Sequence, residues 1–184
     1  MTAILEREIK LRFADVDTAR AAVLRAGATP FRGRRLQEDC LLDTADEELR
    51  RRRCVLRVRI ESGKSVLTFK GPVQPSPMKL REELETLVTD GSVVLQMLGE
   101  LGFTVWFRYQ KYREEFALED VVVAVDETPV GVFVEIEGGD RGIAEMAEAL
   151  GRGPGDYLID SYRRLYVQDC EARGIPPGEM LFED

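Results

Sequence analysis

A chain of 184 residues, 44% of them apolar, is long enough for one sizeable core and short for two, so one domain over residues 1–184 is expected. The formal net charge of −8 argues against a nucleic-acid binder, and no run of roughly 18 apolar residues marks a membrane-spanning helix. The absence of histidine excludes imidazole acid–base chemistry and histidine-ligated zinc.

The first predicted strand covers residues 4–13, with Glu6, Glu8, Lys10 and Arg12 on one face and Leu5, Ile9, Leu11 and Phe13 on the other. Asp17 to Ala26 reads as a helix, capped by Asp15 or Asp17 and stopped at Gly27. A strand over 33–43 leads into a charged turn from Thr44 to Arg52, and the basic run Arg50 to Arg53 reads as a solvated rim. Strands over 54–61 and 65–71 flank a hairpin turn at Glu61-Ser62-Gly63-Lys64. Pro72, Pro75 and Pro77 mark a loop suited to a flap. A fifth strand follows at 79–88, then a helix from Ser92 to Leu101. Strands at 103–116, 119–127 and 131–138, with a tight turn at Glu119-Asp120, precede helices at 141–150 and 158–173. Residues 174–184, with Pro176-Pro177-Gly178, read as an irregular tail.

Charged alternation recurs in strand after strand. Arg57 and Arg59 share a face, as do Arg81, Glu83 and Glu85, then Lys111, Arg113 and Glu115, then Glu135 and Glu137. Wet faces of ordinary strands carry isolated charges among Thr, Ser and Gln. Acids grouped in some strands and bases in others point to a shared charged interior. The expected fold is α+β, an eight-stranded antiparallel closed β-barrel with its apolar outside covered by helices. Carboxylates without histidine or paired cysteine select hard cations, Mg²⁺ or Mn²⁺. Cys40, Cys54 and Cys170 are scattered and read as reduced structural thiols.

The order of motifs resembles the CYTH superfamily of triphosphate tunnel metalloenzymes. The motifs are E-x-E-x-K at Glu6 to Lys10, L-R-x-R at Leu56 to Arg59, T-F-K-G at Thr68 to Gly71 and R-E-E-L-E at Arg81 to Glu85. K-x-R at Lys111 to Arg113 and D-x-T-P-x-G-x-F-x-E-x-E at Asp126 to Glu137 complete the set, and Ser161-Tyr162 is similar to the family's S-Y segment. The resemblance implies Glu6, Glu8, Asp126, Glu135 and Glu137 as metal ligands. It implies Lys10, Arg57, Arg59, Lys70, Lys111 and Arg113 as phosphate ligands, with Lys10, Lys70, Lys111 and Arg113 in the catalytic set. Glu83 and Glu85 match supporting tunnel acids, whereas Arg81 falls at the start of its strand. The stretch Gln37 to Thr44 has Leu41 where many members have tyrosine. Tyr109 or Tyr162 would have to replace that phenol where one is needed.

The leading expectation is a divalent-metal-dependent hydrolase of tripolyphosphate, ATP or thiamine triphosphate. The runner-up is a class IV adenylyl cyclase making cyclic AMP, and the third reading is a non-catalytic polyphosphate or nucleotide sensor. Burying so many charges without a ligand is costly, which favours a ligand site over a purely structural interior. Trp106 reads as packing rather than a base-stacking platform. The G-x-G-x-G at Gly151 to Gly155 lacks the preceding strand of a dinucleotide site. A cytoplasmic protein without nucleic-acid or membrane partners is expected, and a homodimer is compatible with this picture.

Overall fold

The computed structural model describes residues 4–61 and 63–183. Residues 1–3, Ser62 of the predicted hairpin turn and Asp184 at the end of the tail lie outside the described residues. The strands are β1 (Ile4–Phe13), β2 (Thr29–Thr44), β3 (Val55–Glu61), β4 (Lys64–Lys70), β5 (Lys79–Val88), β6 (Phe103–Leu118), β7 (Val121–Thr128) and β8 (Gly131–Glu137). They close into one antiparallel barrel in the order β1-β5-β4-β3-β2-β6-β7-β8. The helices are α1 (Val16–Arg25), α2 (Glu48–Arg51), α3 (Gly91–Glu100), α4 (Asp140–Ala149) and α5 (Tyr162–Arg173). No helix among the described residues is long and apolar enough to cross a membrane.

The core sits outside the barrel. Ile9, Leu11, Val123, Val125, Val134 and Ile136 point away from the barrel axis and are buried against Ala19 and Val23 of α1 and Ile143, Met146 and Ala147 of α4. Fully burying one such aliphatic side chain stabilises the fold by roughly 1.5–3 kcal/mol, so this outer layer supplies much of the stability. The opposite face of the same strands is left for charge. A second apolar cluster, with Leu41, Phe107, Tyr109, Phe133 and Tyr162, gathers toward one end of the barrel.

Local chemistry sets the helix positions. Asp15 caps α1 by accepting from the Thr18 N–H at 2.7 Å. Gly91 opens α3 where a Cβ would stand 2.7 Å from Ser65 Oγ, so the helix seats on β3 and β4 at a distance that only glycine permits. The charged turn before β3 folds into the single helical turn of α2. There buried Asp43 accepts from the N–H groups of Leu49 at 2.9 Å and Arg50 at 3.0 Å. The last helix starts at Tyr162 rather than near 158. Leu158 and Lys10 exchange two backbone hydrogen bonds of 2.9 Å, and Ser161 then caps the helix by accepting from the Arg164 N–H. β2 begins earlier than the periodicity suggests, at Thr29, because register shifts between Pro30 and Arg35 carry it past Gly33. The segment after α5 is irregular, as expected, yet Met180 is buried and exchanges backbone hydrogen bonds with Arg108 and Gln110 of β6.

Candidate active site

Strand register brings the predicted residues together inside the barrel. Glu8 lies opposite Glu137 and Lys10 opposite Glu135 between β1 and β8, while Lys70 lies opposite Glu83 between β4 and β5. Arg113 faces Asp126 between β6 and β7, and Arg59 faces Asp39 between β2 and β3. All of these side chains except the fully buried Asp39 and Asp126 line one cavity of about 830 Å³. Lys10 and Lys111 are each 2% exposed, which for lysine demands close partners.

Acids and bases interleave rather than forming two separate halves. Lys10 Nζ donates to Glu8 at 2.8 Å and lies 3.1 Å from Glu135. Lys70 Nζ donates to Glu6 at 2.6 Å and lies 2.9 Å from Glu83. Asp126, fully buried, accepts from Arg113 Nε at 2.7 Å and Arg113 Nη2 at 2.6 Å. Lys111 Nζ at 2.9 Å and the Tyr162 hydroxyl at 2.5 Å complete its donors. Arg113 also reaches Glu135 at 2.6 Å. Glu85 accepts from Thr68 at 3.1 Å and is half-exposed.

Three interior residues escaped the sequence reading. Asp39, fully buried, accepts from Arg59 Nε at 2.9 Å and lies 3.4 Å from Arg57. Lys79 donates to Glu8 at 2.5 Å. Gln37 hydrogen-bonds Glu61 through Nε2 at 2.6 Å. The alternation Gln37-x-Asp39-x-Leu41 carried the signal for two of them. Arg81 donates to the carbonyls of Gly71 and Lys70 and fixes the start of the proline loop. Tyr109 and Tyr162 both line the cavity, on the apolar side with Leu41. Trp106 packs against that cluster and also lines the cavity mouth.

Electrostatics divides the acids. Burial raises Glu8, but the Lys10 and Lys79 ammoniums outweigh it and hold the carboxyl well below the usual range. Burial likewise opposes ionisation of Glu135, where Arg113 and Lys10 prevail. Glu6 behaves otherwise: burial pushes it up to about 7 despite Lys70, with Glu8 adding to the rise. Glu137 is also pushed up to about 7 by crowding from surrounding protein, then by Glu6, Glu135 and Glu8, although its tip reaches solvent. Burial and the neighbouring Arg113 bring Lys111 down to about 8. Glu6, Glu8, Glu135 and Glu137 thus share one patch with Lys10, Lys70, Lys79 and Arg113, in which two of the carboxyls are raised to about 7. Hard carboxylate oxygens gathered in this way fit a divalent cation. Among the described residues, no three acidic groups already stand together at ligating distances, so Lys10 and Lys70 must give up their carboxylates for one to bind. Among the described residues Gln37 Oε1 is buried without a hydrogen-bond partner, and Arg57 Nε has only the 3.4 Å ion pair with Asp39.

Together these features define a closed-barrel tunnel whose interior is a lattice of ion pairs. The sequence profile of the CYTH domain matches residues 5–162, so the chain belongs to the CYTH family. A Methanocaldococcus jannaschii relative, MJ0240, which carries a provisional adenylate cyclase name, is 30% identical over 80% of this chain and 88% of its own. Among solved structures, PH1012 from Pyrococcus horikoshii superposes with a TM-score of 0.73 at 26% identity, covering 87% of this chain and 98% of that one. HpAC1 from Hippeastrum, described as having a dominant triphosphatase activity, has the same fold with a TM-score of 0.65 at 20% identity, covering 94% and 97%.

Proposed function

We propose that the tunnel is a divalent-cation-dependent triphosphate hydrolase. The observation that carries this reading is the convergence of Lys10, Arg57, Lys111 and Arg113, all buried, with Glu6, Glu8, Glu135 and Glu137 in one cavity. A triphosphate brings about four negative charges near neutral pH, which such an interior can absorb. Glu6, Glu8, Glu135 and Glu137 would hold Mg²⁺ or Mn²⁺. Asp126 would join them by releasing one of its four donors. When bound, the cation supplies positive charge against phosphate oxygens and a more acidic water.

The chain's own residues do the rest. With Glu6, Glu8 and Glu135 engaged by a cation, Lys10 and Lys70 would be free to face phosphate. Arg57 and Arg59, held by Asp39, present guanidinium forks that grip phosphate oxygens in bidentate fashion. Arg113 and Lys111, fixed by Asp126, meet charge that builds on the leaving phosphate. Glu83 ties down Lys70, and Glu85 steadies Arg57 through Thr68.

Adenylyl cyclase activity is the second reading, favoured by the name of the M. jannaschii relative. The triphosphatase description of HpAC1 favours the first. Tripolyphosphate, ATP and thiamine triphosphate should be incubated separately with the protein and Mg²⁺ or Mn²⁺, and the products resolved by chromatography. Orthophosphate, fastest from tripolyphosphate, is the expected product. Cyclic AMP as the main product from ATP, with tripolyphosphate merely inhibiting, would reverse the order. Tight binding without turnover would make the protein a sensor.

A further inference from the structure

The row of interior cations continues beyond the triphosphate site toward one mouth of the barrel. Arg59 lies opposite Asp39 and, one level outward, Arg57 lies opposite Leu41, which faces Phe107. The next level is irregular. Register shifts between Leu41 and Leu42, so that Leu42 faces Val105 and Trp106 is the extra residue of a bulge. Trp106 consequently lines the same cavity as Arg57.

Two guanidinium groups cover its ring, Arg50 at 4.5 Å and Arg163 at 4.7 Å from the centroid. Neither is placed by chance packing. Buried Asp43, which folds α2 through two backbone N–H groups, also accepts from Arg50 Nε at 3.2 Å. Arg163 comes from the first turn of α5, beside Tyr162, whose hydroxyl is fixed on Asp126. Among the described residues no carboxylate pairs with Arg163, and burial together with Arg50 lowers its pKa. Arg50 is already paired, with Asp43 at 3.2 Å and Glu47 at 2.7 Å, so Arg163 is the cation at this ring that an incoming anion would neutralise. With the ring already covered, the mouth offers N–H forks rather than a bare aromatic face. Such forks match phosphate oxygens in geometry and charge.

Resting on the triphosphate reading above, we propose that the Arg50–Trp106–Arg163 stack binds a phosphoryl group beyond the three held deeper in the tunnel. The preferred substrate is then a chain of more than three phosphates, either free or carried on a nucleoside.

Trp106 is the chain's one tryptophan, so its fluorescence reports on the mouth directly, whether or not turnover occurs. With Mg²⁺ present, the protein is titrated with tripolyphosphate, tetrapolyphosphate, longer linear polyphosphate, ATP and adenosine tetraphosphate. Displacement of a bound fluorescent triphosphate analogue gives the affinity of ligands that leave the emission unchanged. Chains of four or more phosphates are expected to shift Trp106 emission and to bind about tenfold more tightly than tripolyphosphate, equivalent to ~1.4 kcal/mol. Arg163→Gln should shrink that ratio to threefold or less, with its melting temperature checked against wild type. Comparing tetrapolyphosphate with adenosine tetraphosphate tells a free chain from a nucleoside-borne one. Equal affinity for three and four phosphates, or an equal loss for both in Arg163→Gln, overturns the assignment while leaving the triphosphate site intact. Failure of tripolyphosphate itself to bind would overturn the triphosphate reading and this one together.

Discussion

Replacing Asp126 by asparagine keeps the shape of the side chain and removes its charge from the most crowded ion-pair cluster in the barrel. Its two oxygens take four donors, from Arg113 twice, Lys111 and Tyr162, all within 2.9 Å. An asparagine oxygen can retain about two of them, while its amide N–H groups point at cations. Losing two hydrogen bonds to charged groups costs about 1.5–3 kcal/mol each, or ~3–6 kcal/mol together. That agrees with the roughly 3–5 kcal/mol typical of breaking a buried ion pair. With a urea dependence of about 2 kcal/mol per molar, a loss of 4 kcal/mol lowers the unfolding midpoint by ~2 M. The assay is urea unfolding followed by circular dichroism, in chelator, with and without tripolyphosphate. The variant leaves Lys111 and Arg113 less neutralised, so tripolyphosphate should restore more of its stability than it adds to wild type. At ligand one hundred times the dissociation constant, wild type gains about 2.7 kcal/mol. A midpoint shift below about 0.5 M, or equal stabilisation of both proteins by ligand, would refute the view that Asp126 holds the basic cluster in place.

The metal-free protein should lose stability between about pH 5 and about pH 8. A carboxyl raised from 4.5 to about 7 in the fold favours folding fully below pH 4.5 and loses that contribution as pH rises through 7. The 2.5-unit rise at Glu6 corresponds to roughly 3 kcal/mol, and saturating Mg²⁺ should flatten the slope; stability that rises over this range in chelator contradicts the acid-patch picture. Glu8→Ala should abolish turnover while the chain stays folded, and full activity of that variant in excess EDTA would rule out a carboxylate-held cation. Arg59→Ala should cost about 2–4 kcal/mol in kcat/KM on every triphosphate tested, and unchanged kinetics would remove it from the site. Gly91→Ala should destabilise by about 1–3 kcal/mol through its contact with Ser65, without changing KM.

The barrel was legible because its alternation is inverted. Charges at every second residue of β1, β3, β5, β6 and β8 fix which face turns inward, and the intervening valines and isoleucines mark the face that helices must cover. The candidate site was legible where a motif lies within one strand, as at Glu6-x-Glu8-x-Lys10. It was hidden where meaning depends on a partner strand. Asp39 is one acid among many until register sets it against Arg59, and Lys79 gains its role from standing opposite Glu8. Trp106 was hidden further, because a shift between Leu41 and Leu42 follows from the pairing of two long strands and leaves no local signature. The helical turn of α2 was missed because its N–H groups are satisfied by Asp43, several residues upstream, rather than by an adjacent cap.

Closure has a consequence for biosynthesis. β1 pairs with β5 on one side and with β8 on the other, so one edge of the first strand stays open until residues 131–137 have been made. Such long-range pairing slows folding, since the chain must form a large loop before the last ladder rewards it. A nascent chain paused before β8 would expose two unpaired edges, on β1 and β7, each a template for another chain. The arrival of β8 therefore does two things at once: it removes both edges, and it delivers Glu135 and Glu137 to a tunnel that until then holds an excess of arginine and lysine.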